Sequence, residues 1–235
     1  MEIFDARPGL PLSVAEAAGK RSRSKQRAAA PGANRIFLLS PAHCGGERAL
    51  LVLSDRARFD LARRLRAAPG APLGEVFSFL SGLYFRGKLT YARTFARPPA
   101  GLPGVYVITP TDGLELADAA VDVHRLRRFA TVDIRVDDPR YRRPLLRHAR
   151  LLADAAGPEC EVVLLGSIAT GKYVDPLLDV LRERLRFPSA FVGRGDMSRG
   201  GLLLRHARAG IELDYVRVAG AARRGARPAR LSAAR

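Results

Sequence analysis

Gly166-Ser-Ile-Ala-Thr-Gly171-Lys172 follows the apolar run Glu161–Leu165 and precedes a segment of helical character. A buried strand ending in a glycine-rich, hydroxyl-bearing loop leaves backbone N–H groups free, and the next helix adds its positive dipole end, so such a turn accepts an anion. Gly166, Ser167, Thr170, Gly171 and Lys172 are therefore candidate phosphate ligands. The spacing matches a phosphate-cradling P-loop, but Tyr173 stands where a Ser or Thr would hold magnesium. A helix starting at the Gly-Lys pair would also set the Pro176 ring against the Lys172 carbonyl. Asp175 as cap and Pro176 as first helical residue avoid that clash and leave Lys172 in the loop. A ligand-free strand-to-helix connection is the competing reading.

Three further segments carry candidate chemistry. In Phe191–Gly201, four glycines flank Arg194 and Arg199, whose guanidinium groups offer bidentate hydrogen bonds to phosphate or carboxylate; Asp196 or Ser198 would cap the following helix. In Thr109-Pro-Thr111-Asp112-Gly113, Asp112-Gly113 is ordinary turn chemistry, yet a carboxylate at a strand end is also the best general-base candidate, with Thr111 beside it. After the first strand come Ser40, His43 and Cys44. Ser40 is a further ligand candidate, His43 an acid/base, and Cys44 a nucleophile if a base activates it, although adjacent residues seldom point at one another. There is no Cys-x-x-Cys and no His-x-x-x-His, which disfavours zinc, and nothing calls for a cofactor. His124, His148 and His206 lie among arginines on helices expected to be solvated.

These loops need a scaffold. Strands are expected at Arg35–Ser40, Ala49–Leu53, Gly104–Thr109, Val132–Val136, Glu161–Leu165 and Leu213–Val218. Helices are expected over Asp55–Ala68, Ser78–Ala96, Arg143–Ala156, Pro176–Leu185 and Ser198–Ala209. On the second of these helices Lys88, Tyr91 and Phe95 share a face, and Arg86, Arg93 and Arg97 share another; Arg143, Arg147 and Arg150 form a later basic stripe. Alternating helices and apolar strands imply an α/β, Rossmann-like three-layer domain over residues 34–218, its mostly parallel sheet covered on both faces. The polar loops then gather at the carboxyl ends of the strands, lining one crevice that Lys172 and Arg194 share.

The chain has 235 residues and a formal charge of +17. Residues 20–35 carry six basic side chains and no acid, and residues 215–235 carry six more, so most of the excess sits in these two stretches, which overlap a basic arm over 1–33 and a basic tail over 219–235. Such arms raise affinity for polyanions without specifying sequence; a coding bias toward Ala, Arg, Gly and Pro is the alternative source. No apolar run reaches the roughly 20 residues that span a bilayer, and no signal-peptide pattern is present, so no membrane partner is expected. Cys44 and Cys160 read as reduced thiols in a cytoplasmic protein.

Read in order, Phe85-Arg-Gly-Lys-Leu-Thr-Tyr-Ala92, Ile108-Thr-Pro-Thr-Asp-Gly-Leu114, Val163-Leu-Leu-Gly166 with Tyr173 and Leu177, and the glycine-rich Val192–Gly201 resemble an uncharacterised family of small bacterial and phage α/β domains. More faintly, their order is similar to the Rossmann-like domain of archaeosine synthase, associated with tRNA 7-deazaguanine modification. That family carries a Ser-Cys-Gly and a nearby lysine after its first strand; here Pro-Ala-His separates Ser40 from Cys44-Gly45. The resemblance spans roughly residues 35–207 and implies a nucleotide or nucleobase context.

Three functions follow as expectations. The first is an enzyme acting on a nucleotide, nucleoside or nucleic-acid base, with Ser167, Thr170, Lys172, Arg194 and Arg199 holding phosphate and Asp112 or His43 handling the proton. The second is a non-catalytic nucleic-acid-binding protein with basic arms, and the third an accessory α/β domain without ligand.

Overall fold

The computed structural model describes residues 34–226 and Pro228. The basic arm expected over 1–33, and residues 227 and 229–235 of the basic tail, lie outside the described residues.

In chain order the strands are β1 (Arg35–Leu39), β2 (Ala71–Pro72), β3 (Val105–Thr109), β4 (Gly113–Leu116), β5 (Ala120–Val121), β6 (Glu161–Leu165), β7 (Leu185–Pro188) and β8 (Tyr215–Arg217). The helices are α1 (Glu47–Leu53), α2 (Asp60–Arg66), α3 (Leu73–Ser81), α4 (Leu83–Phe95), α5 (Val123–Ala130), α6 (Pro139–Ala156), α7 (Gly171–Leu181) and α8 (Asp196–Ala209). The main sheet has the order β4-β3-β1-β6-β7-β8, and β2 pairs with β5 alone. β3, β1, β6 and β7 run parallel, while β4 and β8 close the two edges in antiparallel fashion. The expected α/β, mostly parallel architecture is therefore the one observed.

Burial explains the layering. Ile36, Phe37, Leu38 and Leu39 of β1 are all fully buried, so both faces of the central strand are covered. The Phe37 ring meets Tyr91 of α4 edge to face, and α4 packs closely on α8. Gly87 and Gly200 make that approach achievable, since a Cβ on Gly87 would lie 2.7 Å from the Gly200 carbonyl oxygen. The other face carries α6 and α7. The β1-to-β3 and β6-to-β7 crossovers step in opposite directions across the sheet, and right-handed crossovers then put their helices on opposite faces. The amino-terminal ends of the strands are pinned by charge. Arg35 pairs with Glu161 at 2.7 Å and also with Glu212, while Arg186 reaches Glu161 at 3.4 Å.

Several elements differ from expectation. Ala49–Leu53 is not a strand but part of α1, burying Ala49 and Val52 three positions apart while Leu50 and Leu51 face solvent; a short apolar run has no period that separates the two states. Asp55 caps nothing: α2 begins at Asp60. The single helix expected over Ser78–Ala96 is two, broken at Gly82 with φ +61°. Val132–Val136 forms no strand; Val132 packs inward from an irregular segment. α6 starts at Pro139, earlier than Arg143, because Asp138 accepts from the Arg140 N–H and Pro139 suits the first turn. Gly195, not Asp196 or Ser198, is the cap position of α8, and Asp196 is an acid of its first turn.

The largest difference concerns Pro176. α7 begins at Gly171, so Pro176 lies inside it and Asp175 is not its cap. Proline has no N–H for the Lys172 carbonyl, and Tyr141 of α6 supplies the missing donor, its hydroxyl 2.9 Å from that oxygen. No helix among the described residues is long and apolar enough to cross a membrane.

Candidate functional site

The chain leaves the adjacent strands β1 and β6 in opposite directions, toward β3 and toward β7. That divergence opens a crevice beyond their carboxyl ends. A cleft of about 510 Å³ occupies it. Ser40 and His43 line it from the loop after β1, Ser167 and Lys172 from the loop and helix start after β6. Tyr84, Phe129 and Tyr173 form aromatic walls, and Asp133, Arg135 and Asp196 stand on the rim. Among the candidates read from sequence, Ser40, His43, Ser167 and Lys172 are thus brought together.

Ser40 sits where β1 ends, its N–H donating to the Leu165 carbonyl at 3.1 Å so that the β1–β6 ladder fixes its backbone. Beside it, Gly166 has to be glycine: a Cβ there would lie 2.9 Å from Ser40 Cβ and 3.2 Å from Ser40 Oγ. Behind Ser40 lies a residue to which the sequence assigns only a helix face, Lys88 of α4. Its ammonium is wholly buried, 2.9 Å from Ser40 Oγ and 2.5 Å from the Ser40 carbonyl oxygen. It also sits 4.5 and 4.8 Å from the ring centres of Tyr84 and Phe85. Burial brings it down to about 7; the more distant Asp196 opposes that shift and Arg199 adds to it. A signal for it exists in the sequence. Lys88 shares a helix face with Tyr91 and Phe95, and a lysine in a core-facing stripe needs a polar partner inside.

Tyr84 is the second informative residue. Its hydroxyl is buried and has no hydrogen-bond partner among the described residues, although Tyr84 lines the cleft. Burial pushes its pKa up, and the nearby Arg199 charge offsets only part of that. Lys172 makes no ion pair among the described residues; its ammonium lies 5.0 Å from the Tyr173 ring centre. Ser167 Oγ accepts from the Ala169 N–H at 3.3 Å, shaping the loop.

The remaining candidates are held in other roles. Cys44 lines the cleft, but burial pushes its thiol up to about 12, which keeps it protonated and removes the nucleophile reading. Thr170 holds the cap position of α7 without a side-chain cap bond, and Gly171 is filled against the Asp175 carboxylate. Asp112 and Thr111 do not line the cleft. Burial alone would raise the Asp112 pKa, but the hydrogen bond from Thr111 together with Arg125 at 2.7 Å and Arg128 at 3.0 Å hold it below its ordinary value. A carboxylate so neutralised is a turn anchor, which corrects its placement as a general base. Arg194 and Arg199 likewise turn inward. Arg194 donates to the Ala190 carbonyl at 2.9 Å, and Arg199 grips the Phe191 carbonyl at 3.1 and 3.2 Å. Their guanidinium groups tie the α8 approach loop rather than sharing a crevice with Lys172. His148, expected on a solvated helix face, is buried with Nδ1 3.0 Å from the Leu114 carbonyl oxygen.

Since α7 does begin at the Gly-Lys pair, one objection to a phosphate cradle disappears. Tyr173 remains the other: it is a buried phenol where magnesium would require an exposed hydroxyl. Among the described residues, no group of three or more His, Cys, Asp or Glu side chains is placed to hold a metal ion. No family model, curated protein or solved structure matches this chain.

Proposed function

We propose that this chain is an enzyme acting on a nucleotide, nucleoside or nucleic-acid base held in the cleft between the loops after β1 and β6. One observation carries the reading: aromatic walls, carboxylates, cations and hydroxyls converge on a single mouth at the point where the strand order reverses. Tyr84, Phe129 and Tyr173 suit a planar base, Asp133 and Asp196 suit ribose hydroxyl or exocyclic amino donors, and Lys172 with the first turn of α7 suits a phosphate. The resemblance to the bacterial and phage α/β family, and more faintly to the archaeosine synthase domain, supports the same ligand class. A cytoplasmic setting agrees with two buried, unpaired cysteines.

A thermal-shift screen of nucleotides, nucleosides and bases tests the reading. A nucleotide should raise the melting temperature of the wild type. Its apparent affinity should fall by about tenfold or more in Lys172→Ala, and the matching nucleoside should be indifferent to that change. No shift from any of the three classes sinks the reading. Non-catalytic nucleic-acid binding is a second reading, favoured by Arg143, Arg147 and Arg150, which are exposed along α6 and form no ion pair among the described residues.

A further inference from the structure

From the contact between α4 and the end of β1 we infer that Ser40 is a nucleophile served by Lys88 as its base, so that the cleft transfers an acyl group from an ester or amide through an acyl-Ser40 intermediate. The inference does not rest on the nucleotide reading; it requires only a carbonyl in the cleft.

Geometry comes first. A hydroxyl becomes a nucleophile when a base stands within about 2.6–3.2 Å of it, and a lysine amine fills that role in serine–lysine pairs. Lys88 Nζ is 2.9 Å from Ser40 Oγ. Ser40 lines the cleft and Lys88 does not, so the hydroxyl stands between substrate and amine. The hydrogen-bond inventory suits both protonation states. As an ammonium, Lys88 donates to the Ser40 carbonyl oxygen, to Ser40 Oγ and toward the Tyr84 and Phe85 rings. As an amine, it keeps the carbonyl and ring contacts and turns its lone pair to the Ser40 hydroxyl. A buried lysine kept only for its charge would gain most from a carboxylate partner, and Lys88 has no ion pair among the described residues. The titratable and charged groups facing it are Tyr84 on its own helix and Asp196 and Arg199 from α8. Burial outweighs them and leaves much of Lys88 as free amine at neutral pH.

The steps balance. Ser40 Oγ forms a bond to the carbonyl carbon, the carbonyl π pair moves to oxygen, and the hydroxyl proton passes to Lys88 Nζ. Collapse breaks the bond to the leaving alcohol or amine, which takes that proton. Water then attacks acyl-Ser40, gives one proton to Lys88, and Ser40 Oγ departs with it, releasing the acid. Lys172 and Tyr173 of the first turn of α7 line the same cleft, so the positive end of that helix favours the developing oxyanion. The missing Cβ of Gly166 keeps the space beside Ser40 Oγ open.

The test uses the full chain, a fluorophosphonate probe and p-nitrophenyl acetate. We expect a single covalent adduct mapped to Ser40, forming faster as pH rises through about 7, and an acetate burst of one equivalent. Ser40→Ala should lose both. Lys88→Met should slow labelling by about 100-fold or more, with methylamine partly restoring it in Lys88→Ala, a rescue that a merely structural lysine would not show. Circular dichroism establishes that each variant is folded; should the Lys88 variants unfold, the wild-type pH profile and Ser40→Ala still decide. No adduct on Ser40 at pH 9, or labelling equally fast in folded Lys88→Met, overturns the inference.

Discussion

A lysine with no exposure is expensive, and the cost is visible as a pH dependence of stability. Lys88 has an ordinary value of 10.5 and is held at about 7 by burial, with Asp196 opposing and Arg199 assisting. Between those two values the unfolded chain holds a proton that the folded chain has released, so stability rises with pH across that window. Below about 7 both states are protonated and the full penalty of burying the ammonium is present. Cys44 acts in the opposite sense from its ordinary 9.0 upward, because its folded thiol holds a proton that the unfolded chain gives up, and the buried tyrosines follow above 10.0. Both therefore lower stability at high pH, and the clean interval is pH 7 to 9. Wild-type melting temperature should climb across it, and Lys88→Met, which packs a similar volume without a charge, should be flat. A wild-type curve that falls or stays level over the same interval would show that Lys88 keeps its proton in the fold.

At the scale of elements, the join between α6 and α7 shows how one helix repairs another. Pro176 deprives the Lys172 carbonyl of its intrahelical donor, and the Tyr141 hydroxyl replaces it. Tyr141→Phe should cost about 1–3 kcal/mol, the range for leaving a buried acceptor unsatisfied, while Pro176→Ala alone restores an N–H that the tyrosine already makes redundant. Combined, the two changes should cost less than Tyr141→Phe alone, because the backbone N–H introduced by Pro176→Ala donates where the phenol is gone. A double-mutant cycle by denaturant unfolding measures the coupling, and strict additivity would refute the repair. The same join explains what was legible in the sequence. β1, β3 and β6 could be read because their apolar runs end at turn residues, and with them came the loops that carry Ser40, His43, Ser167 and Lys172 to one cleft. The start of α7 could not be read, since the proline rule is local and the compensating tyrosine lies 31 positions earlier. The partner of Lys88 escapes a reading from sequence for the same reason: it is the end of β1, a contact 48 positions away. Arg194 and Arg199 mislead in the opposite sense. Glycine-flanked arginines can clasp a ligand or their own backbone carbonyls, and spacing does not separate the two.

Over the whole molecule, charge is sorted by region. At the amino-terminal ends of the strands, arginines are consumed by acids, as Arg35, Arg97 and Arg186 are by Glu161 and Glu212. Around the cleft the signs are mixed, with Asp133 and Asp196 facing Lys172 and Arg135, which suits a small polar ligand more than a long polyanion. Along α6 the exposed arginines Arg143, Arg147 and Arg150 stand at helical spacing without an ion pair among the described residues. They occupy an 18-residue helix, long enough to follow several phosphates of a duplex. If the fold itself grips nucleic acid, changing all three to Gln should lower the slope of log affinity against log salt by about 2–3, since each phosphate contact contributes about 0.9. Melting temperature should not fall, because exposed side chains outside any ion pair contribute little to stability. An unchanged slope in the triple variant, together with a slope that collapses when residues 1–33 and 219–235 are removed, would assign polyanion affinity to the arms alone and leave the domain to the small-molecule chemistry of its cleft.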